Sequence, residues 1–212
     1  MIIKKLCFNK FNFKSFFKNL KIDKNDRALY NITPFRRRKI LYTVFDGKTL
    51  KIINKSGFSQ KVSDIRNKKR KFSIFYPNKF QLNILTKLIK FVLKNFTINA
   101  PLDITFHFVT INASIKGETN SPEGIHRDGF DILVPCIVAE RKNISGGYSR
   151  FFLKDKEKFN LFYNKITQTN YGLVFEENKH KDVFHDVTPI KLKNKKQPGY
   201  RSIIGIDITY LK

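Results

Sequence analysis

The chain has no tryptophan, one methionine, two cysteines, and only 17 acidic residues against 42 basic ones. Each shortage narrows what the protein can be. Cys7 and Cys136 lie far apart, and neither belongs to a C-x-x-C pair. That argues against a disulfide framework and makes a reducing cytosol the expected surrounding. No apolar run approaches the ~20 residues that cross a bilayer, so no membrane partner is expected. Residues 1–10 are basic but lack a continuous apolar stretch and a small-residue cleavage site, so they do not read as a secretory signal. The expected location is cytoplasmic.

The shortage of acids leaves a net charge of +25. Such an excess ordinarily suggests nucleic acid or an anionic surface as partner. Here 10 of the 42 basic residues are Arg, so Lys dominates. Lys, Asn, Ile and Phe are enriched together, and all four have A/T-rich codons. A low-GC genome produces this composition without selection for a partner, so a nucleic-acid partner stays open but is not favoured.

What is present is a core and a pattern. A chain of 212 residues with 41% apolar content can build one domain. Phe8, Phe11, Phe13, Phe16 and Phe17 suit the apolar face of a short helix or strand. Residues 40–53 have strand character with a turn at Asp46-Gly47, residues 54–71 read as a polar loop, and 72–76 as a short strand. From about Asn78 to Phe96, Leu82, Leu85, Leu88, Ile89, Val92, Leu93 and Phe96 recur at helical spacing, with Pro101 beyond the end. After Asp103 the period changes. Short strands are expected at 103–112, 130–140, 147–153, 171–176, 183–190 and 201–211, separated by Gly, Pro and Asn signals. Many short strands at this spacing imply a sandwich or barrel. The expected class is α+β, mainly β. One domain spans 1–212, with residues 1–100 supporting a β core at 101–212.

Three places carry candidate chemistry. His126 and Asp128 stand two apart, and on a strand such positions share a face, so an imidazole and a carboxylate can converge on one ion. Gly129 follows and permits a sharp turn. That ligand chemistry suits Fe(II), whereas a structural zinc site wants a closed shell and usually thiolates. His185 lies in an apolar run and is the candidate third ligand. His107, mid-strand, and His180, in a polar turn, compete with it, and a lone His in such a run is often simply a hydrogen-bonded core residue. Arg201 opens a strand of isoleucines. Its planar fork can grip a carboxylate with two hydrogen bonds, which Lys cannot do. Gly146-Gly147 reads as a tight turn, since no helix follows that would make it a phosphate cradle.

Four blocks occur in order across 103–211: Ser121–Asp131 with its His-x-Asp, Arg141–Gly147, Val183–Ile190, and the segment from Gly199 through Ser202. On these blocks the chain resembles the 2-oxoglutarate/Fe(II) dioxygenases, and more narrowly the bacterial branch that contains the isoleucine hydroxylase. A weaker similarity reaches back to Pro34–Arg38. The resemblance implies a double-stranded β-helix, a distorted jelly roll of cupin type, supported by N-terminal helices. It implies His126, Asp128 and His185 as iron ligands, and Arg201 as partner of the distal 2-oxoglutarate carboxylate, with Thr188 and Ser202 on the same cofactor side. The position after that Arg is often acidic in this branch and is Ser202 here. The cofactors implied are Fe(II), 2-oxoglutarate and O₂. The reaction implied is hydroxylation of an unactivated C–H bond with release of succinate and CO₂. The similar enzymes act on free aliphatic amino acids, which makes a small zwitterion the expected substrate. Glu123 would meet its ammonium group, and Arg37, within the run Arg36-Arg37-Arg38, its carboxylate, with His107 a further contact. A turn residue and a solvated basic edge are the plainer readings of Glu123 and the Arg run. Two other functions stay open: a hydroxylase or demethylase acting on nucleic acid or protein, and a non-enzymatic basic binding module.

Overall fold

The computed structural model describes residues 2–24, 35–55, 57–58, 70–98, 101–119 and 121–211. Most of the expected polar loop at 54–71 therefore lies outside the described residues. The strands are β1 (Lys4–Cys7), β2 (Lys21–Ile22), β3 (Arg36–Phe45), β4 (Leu50–Ile52), β5 (Leu102–Asn112), β6 (Ile132–Lys142), β7 (Ile144–Gly146), β8 (Tyr148–Asp155), β9 (Lys158–Ile166), β10 (Tyr171–Phe175), β11 (Val183–Val187), β12 (Ile190–Leu192) and β13 (Tyr200–Tyr210). The helix α1 covers Lys79–Leu93.

The main sheet runs β1-β10-β6-β13-β5-β3-β2, with β4 folded back on β3, and every pairing is antiparallel. A second sheet, β11-β8-β9, covers part of its inner face, and β12-β7 forms a short ribbon beside it. The arrangement is a distorted jelly roll. Its centre is β13, held by β5 on one side and β6 on the other.

The alternation of side chains along β5 and β13 decides what each face does. Ile104, Phe106 and Phe108, with Ile204, Ile206 and Ile208, join the cluster that also holds the helix residues Leu85, Leu88, Ile89 and Val92. The odd-numbered neighbours His107, Val109, Arg201, Ile203, Gly205 and Asp207 line a cavity on the opposite face. Both faces are covered, so the strands read as nearly continuous apolar runs in which a few polar residues stand out.

The helix forms where the spacing places it. Asn78 accepts from the Gln81 N–H at 2.8 Å, and the Gln81 side chain accepts from the Asn78 N–H at 3.1 Å, a capping box that satisfies two donors at the helix start. Each buried Leu, Ile or Val on its inner face contributes roughly 1.5–3 kcal/mol of apolar burial.

Among the described residues the expected helical support is the helix α1, and the Phe-rich start supplies a 3-10 turn at Lys14–Phe17. That turn buries Phe16 in a stack on Phe108, ring centroids 5.3 Å apart. Residues 72–76 make only a bridge through Ile74 to Ile40 rather than a strand. Strand β9 had no signal, because its side chains are mostly exposed and Lys158, Asn160, Asn164 and Lys165 break any apolar rhythm. It forms by pairing along β8.

Candidate metal centre and cavity

His185 sits in the middle of β11, opposite Phe151 of β8. Its ring lies 5.7 Å from that of Phe151 and 6.2 Å from that of Phe175. His126 joins it through a two-way backbone bridge: the His126 N–H donates to the His185 carbonyl at 3.0 Å, and the His185 N–H to the His126 carbonyl at 2.8 Å. The rings come to 4.4 Å, centroid to centroid.

Asp128 completes the group. Its carboxylate oxygens lie 3.8 Å from His126 Nε2 and 3.3 Å from His185 Nε2. One ligand atom from each of the three residues falls within 4.8 Å of the others. Ligand atoms bound ~2.1 Å from a metal in a facial arrangement stand ~3 Å apart, so small side-chain adjustments would close the set around one ion.

The tautomer of His126 is set by its neighbour. Nδ1 donates to the Gly124 carbonyl at 2.8 Å, and a carbonyl can only accept. The neutral ring therefore keeps its lone pair on Nε2, the atom facing Asp128. A hydrogen bond from the far ring nitrogen is the usual way a protein orients a metal-binding His. Glu123 Oε1 lies 3.3 Å from the same Nδ1.

The convergence of His126 and Asp128 does not come from strand alternation, as the sequence suggested. Residues 127–130 lie outside any strand, and the chain turns there through Gly129 at φ 85°. The turn is held by a residue with no signal in the sequence. Glu177, fully buried at 0% exposure, lies between β10 and β11. Its carboxylate accepts from the backbone N–H of Asp128 at 2.7 Å, of Gly129 at 2.6 Å and of Phe130 at 2.8 Å. Burial pushes its pKa up, as does the Asp128 charge, while His185 and the backbone donors pull it down. In the sequence Glu177 stands beside Glu176 in a lysine-rich turn, where it looks like a solvated surface charge.

Arg201 is 2% exposed at the start of β13. Its Nη2 lies 3.6 Å from Cys136 Sγ, its Nε has no hydrogen-bond partner, and no carboxylate pairs with it among the described residues. Arg141 is its register partner on β6. Burial, and then the Arg201 charge, lower the Arg141 pKa to about 10. Two neighbouring guanidiniums with no carboxylate between them make a strongly positive spot.

Arg201 and the His126–Asp128–His185 group line one cavity of about 110 Å³. It has room for on the order of ten waters, the scale of a small molecule. Glu123 and His107 also line it, together with Arg36, Arg38 and Arg70. The His107 Nε2 and the Asp207 Oδ2 are 2.9 Å apart, and burial raises the Asp207 pKa while His107 opposes the rise. The Arg38 and Arg70 guanidiniums lie over the Phe72 ring at 5.0 and 5.6 Å.

Three expected residues face elsewhere. Arg37 is exposed and outside the cavity, because alternation along β3 sends Arg36 and Arg38 inward and Arg37 to the other side. Ser202 follows Arg201 on β13 and so points away from it, where its hydroxyl meets Thr110 Oγ1 at 2.9 Å. Thr188 Oγ1 accepts from the Tyr148 N–H at 2.9 Å and ties the end of β11 to β8. Asp207, by contrast, was not foreseen, although it stands an even number of residues from Arg201 on the same strand and shares its face.

The sequence model of the 2OG-Fe dioxygenase family matches residues 14–207. The fold is shared with solved structures. The crystal structure of IDO from Bacillus thuringiensis matches with TM-score 0.67 at 18% identity, covering 99% of this chain and 94% of that one. A bsmA homolog from Methylobium petroleophilum PM1 matches with TM-score 0.66 at 16% identity, over 92% of this chain and 79% of its own. The Fe(II)/(alpha)ketoglutarate-dependent dioxygenase TqaL matches with TM-score 0.59 at 12% identity, over 98% of this chain and 82% of its own. No curated protein sequence matches.

Proposed function

The chain belongs to the 2OG-Fe dioxygenase family and is therefore an oxidoreductase that uses Fe(II), 2-oxoglutarate and O₂, and from that premise we propose that it hydroxylates a small zwitterion such as a free amino acid. Membership removes the reading as a non-enzymatic basic module.

We assign the iron to His126, Asp128 and His185. Two imidazoles and one carboxylate leave three coordination positions open, as this chemistry requires, and His126 already holds the right tautomer. Bound there with 2-oxoglutarate and O₂, iron supplies the oxidising power to hydroxylate an unactivated C–H bond as succinate and CO₂ are released. The chain's own residues bind, orient and exclude water. Arg201 faces the cavity with donors to spare and suits the distal carboxylate of 2-oxoglutarate. Arg141 beside it on β6 raises the local positive potential. Phe58, Leu133 and Phe151 line the cavity and limit water near the reacting carbon.

The observation that supports the substrate reading is that side chains of both charges line one small cavity. Glu123, 3.3 Å from His126 Nδ1, can also meet an ammonium group, and a substrate carboxylate would meet the arginine-rich wall of Arg36, Arg38 and Arg70, where Arg38 lies 3.5 Å from Asp23. His107, hydrogen-bonded to Asp207, is a third polar contact.

The test is succinate formation from 2-oxoglutarate with Fe(II) and O₂ across the twenty free amino acids. His185→Ala is the blank, and Arg201→Lys reports on cosubstrate binding. Stimulation by one or a few amino acids, abolished in His185→Ala, is expected. The KM for 2-oxoglutarate should rise on the order of 10–100-fold in Arg201→Lys, because an ammonium cannot make the two parallel hydrogen bonds of a guanidinium to a carboxylate. Slow succinate formation without amino-acid stimulation would overturn the substrate class and favour a macromolecular or other substrate.

A further inference from the structure

The carboxylate at the centre of the His126–Asp128–His185 group sits on a turn that the turn's own sequence does not hold. Residues 127–130 make no strand ladder, and Gly129 at φ 85° gives the backbone no stiffness of its own. Three consecutive backbone donors at Asp128, Gly129 and Phe130 point at one buried carboxylate on a separate segment. The grip extends outward. Arg127 Nη2 donates to the Glu177 carbonyl at 3.2 Å, and Asn178 Nδ2 to Asp131 Oδ1 at 2.5 Å. Residues 177–178 thus clamp the whole stretch 127–131.

We propose that Glu177 is a positioning residue for the metal centre: its carboxylate fixes the Asp128 turn in the metal-binding conformation before any metal arrives. The inference rests on the assignment of iron to His126, Asp128 and His185. Three charge-assisted hydrogen bonds from successive amides to one carboxylate are a costly arrangement to bury for scaffolding alone. The same segment could be capped by water at a surface. A fully buried acceptor, in contrast, removes the freedom that an Asp on a Gly-containing turn would otherwise have. Ordering that turn beforehand spares metal binding the entropy of doing so. The contact is to the backbone of a residue assigned to the metal, and outer contacts of this type typically change metal affinity 10–100-fold.

Glutamine can accept through its single oxygen, but its amide nitrogen then abuts a donor. Glu177→Gln therefore separates the carboxylate's role from side-chain volume. Co(II) titrations followed by its visible absorption, without O₂, give affinity and coordination independently of turnover. Asp46→Asn is the comparison, since the Asp46 carboxylate likewise accepts from backbone N–H groups, of Lys48 at 2.9 Å and Thr49 at 2.7 Å, in a turn outside the cavity and the clamp. The expected result is Co(II) binding weakened about 10–100-fold in Glu177→Gln and within about twofold of the starting protein in Asp46→Asn, with both folded by circular dichroism. Equal affinity in Glu177→Gln, with only a lowered unfolding temperature, would overturn the proposal and leave Glu177 a structural residue.

Should Glu177→Gln fail to fold, hydrogen exchange on the metal-free unmodified protein decides. The amides of Asp128, Gly129 and Phe130 are expected to be protected without metal, and exchange near the rate of an open loop would sink the proposal. Failure of the unmodified protein to bind Co(II) would instead overturn the assignment of the metal residues, a separate result.

Discussion

Single residues carry most of the chemistry, and a few carry tension that the fold tolerates. Tyr42 is an example outside the metal centre. It is buried, its hydroxyl has no hydrogen-bond partner, and burial pushes its pKa up to about 12. A raised folded-state pKa means that the folded protein holds this proton more tightly than the unfolded chain. The contribution is complete below about pH 10, the unfolded value, and disappears as the pH climbs through about 12. Tyr42→Phe removes both the stranded hydroxyl and the titration. Its stability at neutral pH should equal or exceed that of the parent by on the order of 1 kcal/mol. Between pH 10 and 12 it should lose less stability than the parent, a comparison that denaturant titrations at stepped pH can make. A variant less stable than the parent at pH 7 would show that the hydroxyl has a compensating partner.

At the scale of elements, one pairing organises the molecule: β13 between β5 and β6, with α1 laid over one face and the cavity on the other. Leu88 of α1 is fully buried in the cluster with Phe106 and Phe108. Leu88→Ala should cost about 2–5 kcal/mol through reduced burial and the cavity left behind. Because the helix face and the reactive face are opposite sides of the same strands, that cost should appear in the unfolding midpoint and leave the KM for 2-oxoglutarate nearly unchanged. A large KM change would mean that the sheet transmits packing on one face to the other.

For the whole molecule, the division into a supporting half at 1–100 and a core at 101–212 describes the order of the chain more than the way it is built. β1 pairs with β10, β3 with β5, and α1 covers strands from both halves. Cutting the chain near residue 100 would expose the isoleucines and phenylalanines of β5 and β13. We expect a single cooperative unfolding transition, with coincident far-ultraviolet dichroism and tyrosine fluorescence. Separate transitions would give the two halves independent stability. No helix among the described residues is long and apolar enough to cross a membrane. The net charge of +25 contrasts with the cavity, where Glu123, Asp128, Asp186 and Asp207 stand among the arginines. Most of the excess therefore lies away from the site, as a composition set by codon usage would place it.

The amino-acid sequence by itself determined the elements whose signal is local: the helix, the strands that became β5, β6, β8, β10, β11 and β13, and the turn at Gly146-Gly147. It also marked out His126, Asp128, His185 and Arg201, because few residue types perform such chemistry and these interrupt apolar or lysine-rich surroundings. Tertiary structure decided what depends on partners far away in the chain. Alternation fixed that Arg36 and Arg38 face the cavity and Arg37 does not, and that Ser202 turns its back on Arg201, once the register of β3 and β13 against β5 was set. Strand β9 exists because β8 offers it a free edge. Glu177 could not be read at all. Its role arises only when a loop between two strands meets a turn nearly fifty residues earlier, and hydrogen bonding to backbone amides leaves no trace in the side chains of the segment being held. Periodicity and side-chain chemistry are written residue by residue, whereas burial and long-range pairing are properties of the folded chain alone.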